Sequence, residues 1–251
     1  MKLAKLPTGE PEIFHTIQGE GVSVGTPSVF VRLSHCNLYC VWCDTDYTWN
    51  WRGTRYRHVR DDTPGYEKFR REEQVIELAP IEVAERVAAV DCRNVVLTGG
   101  EPLLQQRALV ALMTALRARH EAYRFEIETN GTLTPSTELD TLVRRYNVSP
   151  KLANSGVELE DRRRGDALRF FAASPKAIFK LVLAEDRDLD EIGELVADLA
   201  LPADRVVLMP EALDTTTLEQ RQKMVVDTCL RHGYRFGDRL HLRLFGARRG
   251  T

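Results

Sequence analysis

The sequence has no apolar run approaching the roughly 20 residues that a membrane-spanning helix needs. Its first residues, Met1-Lys2-Leu3-Ala4, do not open a secretory signal. Basic and acidic side chains nearly cancel, 35 against 37, so bulk charge gives no reason to expect nucleic acid or an anionic membrane as a partner. Long repeats and low-complexity tracts are missing. Cysteine is scarce: of five, three crowd together and Cys92 and Cys229 stand alone. That distribution argues against a disulfide framework and for a reducing cytoplasm. The two isolated cysteines are expected in the core, since a free thiol packs as a small hydrophobe.

What is present is an ordinary globular composition, 43% hydrophobic and 29% charged, over 251 residues. That length allows a sizeable core, and the chain reads as a single domain over 1–251. Residues 12–21, with two glycines beside an apolar start, read as a turn. Ser28 to Leu33 is a short strand rich in β-branched and aromatic residues. From about 46 to 79 periodicity is lost, and Arg, Lys and acids interleave with Trp49 and Trp51. The segment reads as a solvated insertion, although loops this long often serve as lids. The Trp pair either covers the site or anchors the loop.

Beyond it, apolar spacing alternates between helix and strand. Helices are expected over 80–90, 103–120, 136–146, 165–173, 189–199 and 217–232. Strands are expected over 95–98, 125–128, 177–183, 205–209 and 240–244, with Asn147-Val148 running into Ser149-Pro150-Lys151. Such alternation predicts an α/β fold with a mainly parallel sheet, because parallel neighbours require crossovers. The polar or glycine-rich clusters follow strand ends: the cysteine loop, Gly99-Gly100-Glu101-Pro102, Glu128-Thr129-Asn130-Gly131-Thr132, Ser149-Pro150-Lys151 and Met209-Pro210-Glu211. In parallel sheets and barrels these ends share one face, where ligands bind.

The three clustered cysteines, Cys36, Cys40 and Cys43, are spaced C-x3-C-x2-C. Thiolates this close can meet on one metal and leave a coordination position unfilled. An iron-sulfur cluster with an open iron suits that count, whereas a structural zinc site wants a fourth ligand, His35 being one candidate. Three unrelated buried cysteines are the remaining reading. Trp42 packs or stacks on a ligand, and the Gly99-Gly100 pair offers bare backbone for close approach.

This spacing, with Trp42 before the third cysteine, resembles the signature of the radical S-adenosylmethionine (SAM) enzymes. The resemblance implies a partial, incomplete parallel β/α barrel and a [4Fe-4S] cluster on Cys36, Cys40 and Cys43, whose fourth iron chelates SAM. It places Trp42 near the adenine and Gly100 and Glu101 near the methionine amino group. By strand-end position, Glu128, Asn130, Ser149, Lys151, Met209, Pro210 and Glu211 join the SAM contacts, as does Asp44 beside the cluster.

The segment from Phe14 to Gly21, Arg32, Asp44-Thr45, TGGEP and ETNGT together resemble one branch, the 7-carboxy-7-deazaguanine synthases, over about residues 10–211. That branch is a radical SAM lyase family of 7-deazapurine (queuosine-type) biosynthesis. It converts 6-carboxy-5,6,7,8-tetrahydropterin to 7-carboxy-7-deazaguanine with loss of ammonia, and requires Mg2+. By resemblance Thr45 ligates Mg2+, Ile17, Gln18 and Gly19 line the pterin, Arg32 meets its carboxylate and Thr98 touches it. A homodimer and a reducing electron donor such as flavodoxin are implied as well. The rivals are another radical SAM enzyme, such as a glycyl-radical activase or a peptide-modifying enzyme, and a non-catalytic zinc-binding module.

Overall fold

A computed structural model describes every residue from Met1 to Thr251. In chain order the strands are β1 (Lys2–Ala4), β2 (Ile13–Ile17), β3 (Pro27–Leu33), β4 (Val75–Glu77), β5 (Asn94–Gly99), β6 (Arg124–Thr129), β7 (Val143–Val148), β8 (Ala177–Leu183), β9 (Val206–Pro210) and β10 (Arg235–Phe236). The helices are α1 (Arg71–Gln74), α2 (Pro80–Ala88), α3 (Gln106–Arg119), α4 (Thr137–Leu142), α5 (Leu159–Arg162), α6 (Gly165–Ala173), α7 (Asp188–Asp198), α8 (Thr215–His232) and α9 (Leu240–Phe245). No helix is long and apolar enough to cross a membrane.

All ten strands form one sheet in the order β10-β9-β8-β7-β6-β5-β3-β1-β4, with β2 also paired to β3. From β3 to β10 every neighbouring pair is parallel, and the crossovers between them carry helices. Only β1, β2 and β4, at one end, are antiparallel. The terminal strands β10 and β4 do not pair, so the expected parallel barrel is present and open.

Alternation along the parallel strands sorts side chains into two groups. One group packs in the core: Val29, Val31 and Leu33 of β3, Val95 and Leu97 of β5, Phe125 and Ile127 of β6, and Phe179, Leu181 and Leu183 of β8. Helices cover that face, α3 with Leu109, Leu112, Met113 and Leu116 on one helical stripe. Cys92 and Cys229 lie in this core, as expected of isolated thiols. The intervening positions carry Arg32, Thr98, Glu126, Glu128, Asn147 and Lys180 among apolar Phe30, Val96, Ile178 and Val182. A strand buried on both sides normally carries apolar residues on both, so a polar inner face marks space reserved for a polar ligand.

Four expectations need correction. Residues 13–17 are a strand rather than a turn: β2 pairs with β3, and Phe14 stacks on Phe30 directly opposite, with ring centroids 5.2 Å apart. The turn begins after Ile17. The helix over 136–146 stops at Leu142, and 143–148 is β7. Leu139, Leu142 and Tyr146 fit a helical stripe, but the sheet has a vacant lane between β6 and β8, which Val143, Tyr146 and Val148 fill with buried side chains. The strand over 240–244 is instead α9. Its Leu-x-Leu-x-Leu alternation suggested a strand, yet Leu242 alone is buried, against Ala212 and Leu218, while Leu244 is exposed.

The fourth correction concerns 46–79, which is solvated over much of 51–79, as expected, but is anchored in the interior at its start and at His58. Asp46, Thr48, Asn50 and His58 are wholly buried, with Tyr47 and Trp49 nearly so. The Asp46 carboxylate accepts from Arg60 at 2.8 Å and from the Tyr66 hydroxyl at 3.1 Å. β4 ties the end of the insertion to β1. Periodicity failed here because specific polar pairs hold the segment, and these leave no repeating pattern. Replacing Trp49 by Ala is expected to cost about 3 kcal/mol in urea unfolding, the scale of a buried aromatic, against less than about 0.5 kcal/mol for a solvated loop residue.

Candidate active site

One cavity of about 1120 Å³, its mouth included, lies at the C-terminal ends of the parallel strands. All three clustered cysteines line it, with Trp42, Asp44 and Thr45 from the same loop. So do Thr98, Gly99 and Gly100 after β5, Glu128, Thr129 and Asn130 of the β6 end, Asn147, Ser149 and Lys151 around the β7 end, and Lys180 of β8. Ile17, Gln18 and Gly19 close another wall with Phe14, Phe30 and Arg32. Strand direction thus brings together residues spread over most of the chain.

The loop's position follows from two glycines. A Cβ on Gly99 would collide with the backbone of Leu33, and one on Gly100 with the carbonyl of His35. Gly99 also adopts φ +123°, a region L-residues rarely enter. The bare backbone therefore serves contact with the cysteine loop first. Gly100 N donates to Leu33 O (3.1 Å) and Glu101 N to His35 O (2.8 Å), which fixes the loop's start to β5. The Glu101 carboxylate does not line the cavity. It accepts from Leu103 N, Thr129 Oγ1 and Asn130 N at 2.7–2.9 Å, bracing the ends of β5 and β6. Burial pushes its pKa up against those donors.

Burial also raises the pKa of all three clustered thiols, Cys40 to about 12. Left alone they stay protonated, so a metal is what would make them thiolates. Weak donors already stand at the sulfurs: Leu38 N is 3.5 Å from Cys36 Sγ, and Thr45 Oγ1 is 3.5 Å from Cys43 Sγ. The insertion adds support. His58 donates through Nε2 to the Cys43 carbonyl (2.9 Å) while its Nδ1 accepts from Arg60 N (3.2 Å), which fixes the tautomer. Trp49 lines the cavity with its indole N–H buried and unbonded. The Trp pair thus divides its duties, Trp49 walling the cavity and Trp51 packing edge-on to His35. His35 lines a separate outer cavity, not this one.

On the opposite wall the polar strand residues are tightly held. Glu128 accepts from Gln18 Nε2 (3.0 Å) and Thr98 Oγ1 (2.7 Å). Arg32 donates through Nε to buried Glu12 (2.9 Å), and its two terminal nitrogens make no hydrogen bond within the protein. Glu20 pairs with Lys180 and lies 3.3 Å from Arg239 and 3.9 Å from His241. Although burial would raise it, Lys180 and Arg239 hold the Glu20 carboxyl well below the usual range. Asp44 is kept low in the same way by Arg239. Oxygen and nitrogen atoms of Glu20, Asp44 and His241 lie within 4.8 Å of one another, a spacing a cation could use, but Arg239 already bridges the two carboxylates.

Residues 31–168 match the sequence pattern of the Radical SAM superfamily. The chain is 36% identical to the 7-carboxy-7-deazaguanine synthase of Pyrobaculum aerophilum, with 95% of each chain covered. It is 35% identical to that of Halobacterium salinarum, over 93% of this chain and 89% of the relative. The chain belongs to the 7-carboxy-7-deazaguanine synthase family of radical SAM proteins. Its fold agrees: the crystal structure of QueE from Escherichia coli superposes with a TM-score of 0.63 at 26% identity, covering 96% of this chain and 95% of that one.

Within this family member the donor set fits a [4Fe-4S] cluster, since three thiols meet on one cavity and no fourth cysteine or His35 joins them. Among the expected SAM contacts, Trp42, Asp44, Gly100, Glu128, Asn130, Ser149 and Lys151 line the cavity; Glu101, Met209, Pro210 and Glu211 do not. Glu211 instead pairs with Arg221 of α8. Glu128 is bonded to Gln18 and Thr98, both expected on the substrate side. Every expected substrate residue, Ile17, Gln18, Gly19, Arg32 and Thr98, lines the cavity, as does Thr45.

The sequence reading missed Lys180, Asn147, Glu20, Arg239 and His241. A lysine inside the apolar strand Ala-Ile-Phe-Lys-Leu-Val-Leu was a usable signal for Lys180. For Arg239 and His241 there was none, because they reach the site only through α9. That helix lies against Gly19, where a Cβ would come within 2.5 Å of His241 Nδ1. Thr251 also lines the cavity, its segment held by Arg249, which bonds Glu12 at 2.9 Å and lies over the Tyr47 ring.

Two outcomes test this geometry. Gly100→Ala should destabilise the protein by about 2 kcal/mol or more and lower the iron bound after anaerobic reconstitution, because the His35 backbone cannot yield as a side-chain tip can. Unchanged stability and iron content would sink this account of the loop. The second concerns pH. Burial, with Arg239 adding to it, lowers the His241 pKa despite Glu20. The unfolded chain therefore takes up the proton first, so this contribution is whole above about pH 6.5 and lost as pH falls below it. In metal-free protein, His241→Asn should flatten the decline of the urea midpoint between about pH 6.5 and 5.

Proposed function

We propose that this protein is a 7-carboxy-7-deazaguanine synthase, a radical SAM carbon-nitrogen lyase that converts 6-carboxy-5,6,7,8-tetrahydropterin to 7-carboxy-7-deazaguanine and ammonia. The observation that carries the reading is that the cysteine loop and the residues Gln18, Gly19, Arg32 and Thr98 line one and the same cavity. When bound, the cluster and SAM supply the radical that starts the reaction. The chain's residues bind, aim and enclose.

Arg32 suits the substrate carboxylate. Glu12 holds its Nε and fixes the plane of the guanidinium, leaving two nitrogens as a fork for a bidentate anion. Glu128, held by Gln18 and Thr98, presents carboxylate oxygens to ring N–H donors of a pterin, and Phe14 stacked on Phe30 supplies an apolar wall. On the other side, the Lys151 ammonium lies over the Trp42 ring at 5.5 Å and donates to Ser149, a cationic and aromatic surface for the nucleoside and carboxylate of SAM. Thr45, which lines the cavity beside Cys43, is the residue we assign to Mg2+. One protein oxygen is enough for a cation that keeps substrate and water as its other ligands. Reactant alignment is the main service of such a cavity, and an error of about an ångström can cost on the order of a hundredfold in rate.

The five free cysteines fit a reducing compartment, for which we take the cytoplasm, and an external electron donor. The test is anaerobic turnover of the cluster-loaded protein with reductant, SAM, Mg2+ and the carboxytetrahydropterin, followed by mass and absorbance. The expected result is 7-carboxy-7-deazaguanine with 5′-deoxyadenosine. Cys40→Ala should bind no cluster and cleave no SAM, and Thr45→Ala should keep the cluster while losing the response to Mg2+. Deoxyadenosine without the deazapurine would leave a radical SAM enzyme with another substrate, and Mg2+-independent turnover would remove the role of Thr45.

A further inference from the structure

The half-buried indole of Trp42 is tied at its edge as well as covered on a face. Its Nε1 donates to the backbone carbonyl of Asn154 at 2.9 Å, while the Lys151 ammonium lies 5.5 Å from the ring centre. Val41 N, one residue earlier, donates to the Ser155 carbonyl at 2.9 Å. A Cβ on Gly156 would come within 2.7 Å of Val41 Cγ1, so the two segments are in close contact. The middle of the cysteine loop therefore rests on the turn over 153–156. Neither Asn154 nor Ser155 lines the cavity that holds Trp42.

That turn is itself held from behind. Asn154 Nδ2 donates to Asp188 Oδ2 at 2.8 Å and to the Val182 carbonyl at 3.0 Å. Asp188, at the start of α7, is buried, and its Oδ2 also accepts from Ala184 N (2.8 Å) and Glu185 N (3.0 Å). Three donors on one carboxylate oxygen make a firm anchor, because hydrogen bonds to a charged acceptor are the strong ones. Glu191, further along α7, accepts from Ala153 N at 2.7 Å and pairs with buried Arg162. Arg162 in turn donates to the Val157 carbonyl at 3.0 Å. Asp188, Glu191 and Arg162 all lie outside the active-site cavity, on a separate outer cleft. Burying ionic groups costs desolvation, and apolar packing would stabilise a fold as well. What these groups gain is a rigid turn whose Asn154 carbonyl is set against an indole N–H.

We propose that Asn154 and Asp188 are positioning residues for the adenine of SAM, acting through the indole N–H of Trp42. The inference rests on the reading of Trp42 as an adenine contact. A half-buried indole without a partner for its N–H would turn about its Cβ–Cγ bond, and losing that freedom on binding would weaken the complex. The line from Asp188 through Asn154 to Trp42 sets the ring before the ligand arrives. Neither residue touches SAM, and neither takes part in the chemistry.

The experiment measures SAM binding to cluster-loaded, unreduced protein by anaerobic equilibrium dialysis. Trp42→Phe keeps a ring and loses the N–H, Asn154→Ala cuts the turn from Asp188, and a double variant combines the two. Each single variant should weaken SAM binding about fivefold, the worth of one hydrogen bond, at unchanged iron content. Because both changes act on one bond, the double variant should bind no worse than the weaker-binding single variant. Asp188→Asn, which keeps the shape and an acceptor, should lie between wild type and Asn154→Ala. Asp190→Asn, at an exposed position of α7, should match wild type. In turnover by Asn154→Ala, the KM for SAM should rise and the KM for the pterin should not. If Asn154→Ala binds SAM as wild type does, or if the two losses multiply in the double variant, the positioning role is wrong and the functional reading stands. If Trp42→Phe binds SAM as wild type does, the indole bond is immaterial and the inference falls alone. If the cluster-loaded wild type binds no SAM, both fall together.

Discussion

The backbone contact between Gly99-Gly100 and the start of the cysteine loop is the constraint on which the site depends. Two peptide N–H groups from the end of β5 reach Leu33 and His35 carbonyls across a gap with no room for a side chain. The loop leaves β3 through His35 at φ +76°, an uncommon conformation for a residue with a Cβ. With this join made, the three thiols face the strand ends. Without it, a loop carrying three ligands would have no reason to sit at any one depth. Glu101 extends the same brace to β6, so neighbouring parallel strands share the work of placing one metal-binding loop.

Opposite the loop, the barrel interior is charged and yet nearly neutral. Arg32 is set against Glu12, Lys180 against Glu20, and Arg239 against Glu20 and Asp44. Buried charges survive only when partnered, and here each partner also orients the group. A substrate with a carboxylate and a polar ring meets side chains whose conformations are already set, which reduces the reorganisation needed on binding.

Much of this was legible from the chain alone, and the exceptions share a cause. The cysteine triplet, the glycine pair and the strand-end clusters are local patterns, and the direction of parallel strands then gathers them on one face. The outward apolar positions were readable by period. Lys180 and Glu20 are 160 residues apart and Arg239 and Asp44 are 195 apart, so their pairing leaves no trace in any window. β7 and α9 were misassigned because each carries the spacing of the other structure, and tertiary context decided between them. The insertion misled for a related reason: Asp46 and His58 look like surface residues in sequence, and only their partners show them to be interior.

The hydrogen bond from His58 to the Cys43 carbonyl bears on how such a protein can change over time. A surface loop can ordinarily be shortened at little thermodynamic cost. This one carries the donor that satisfies a carbonyl in the metal-binding turn, so trimming it strips the cysteine loop of a brace as well as removing exposed chain. Any shorter descendant must supply another donor at that point or leave the carbonyl to water. His58, rather than the segment's length as such, is thereby tied to the geometry of the third cysteine.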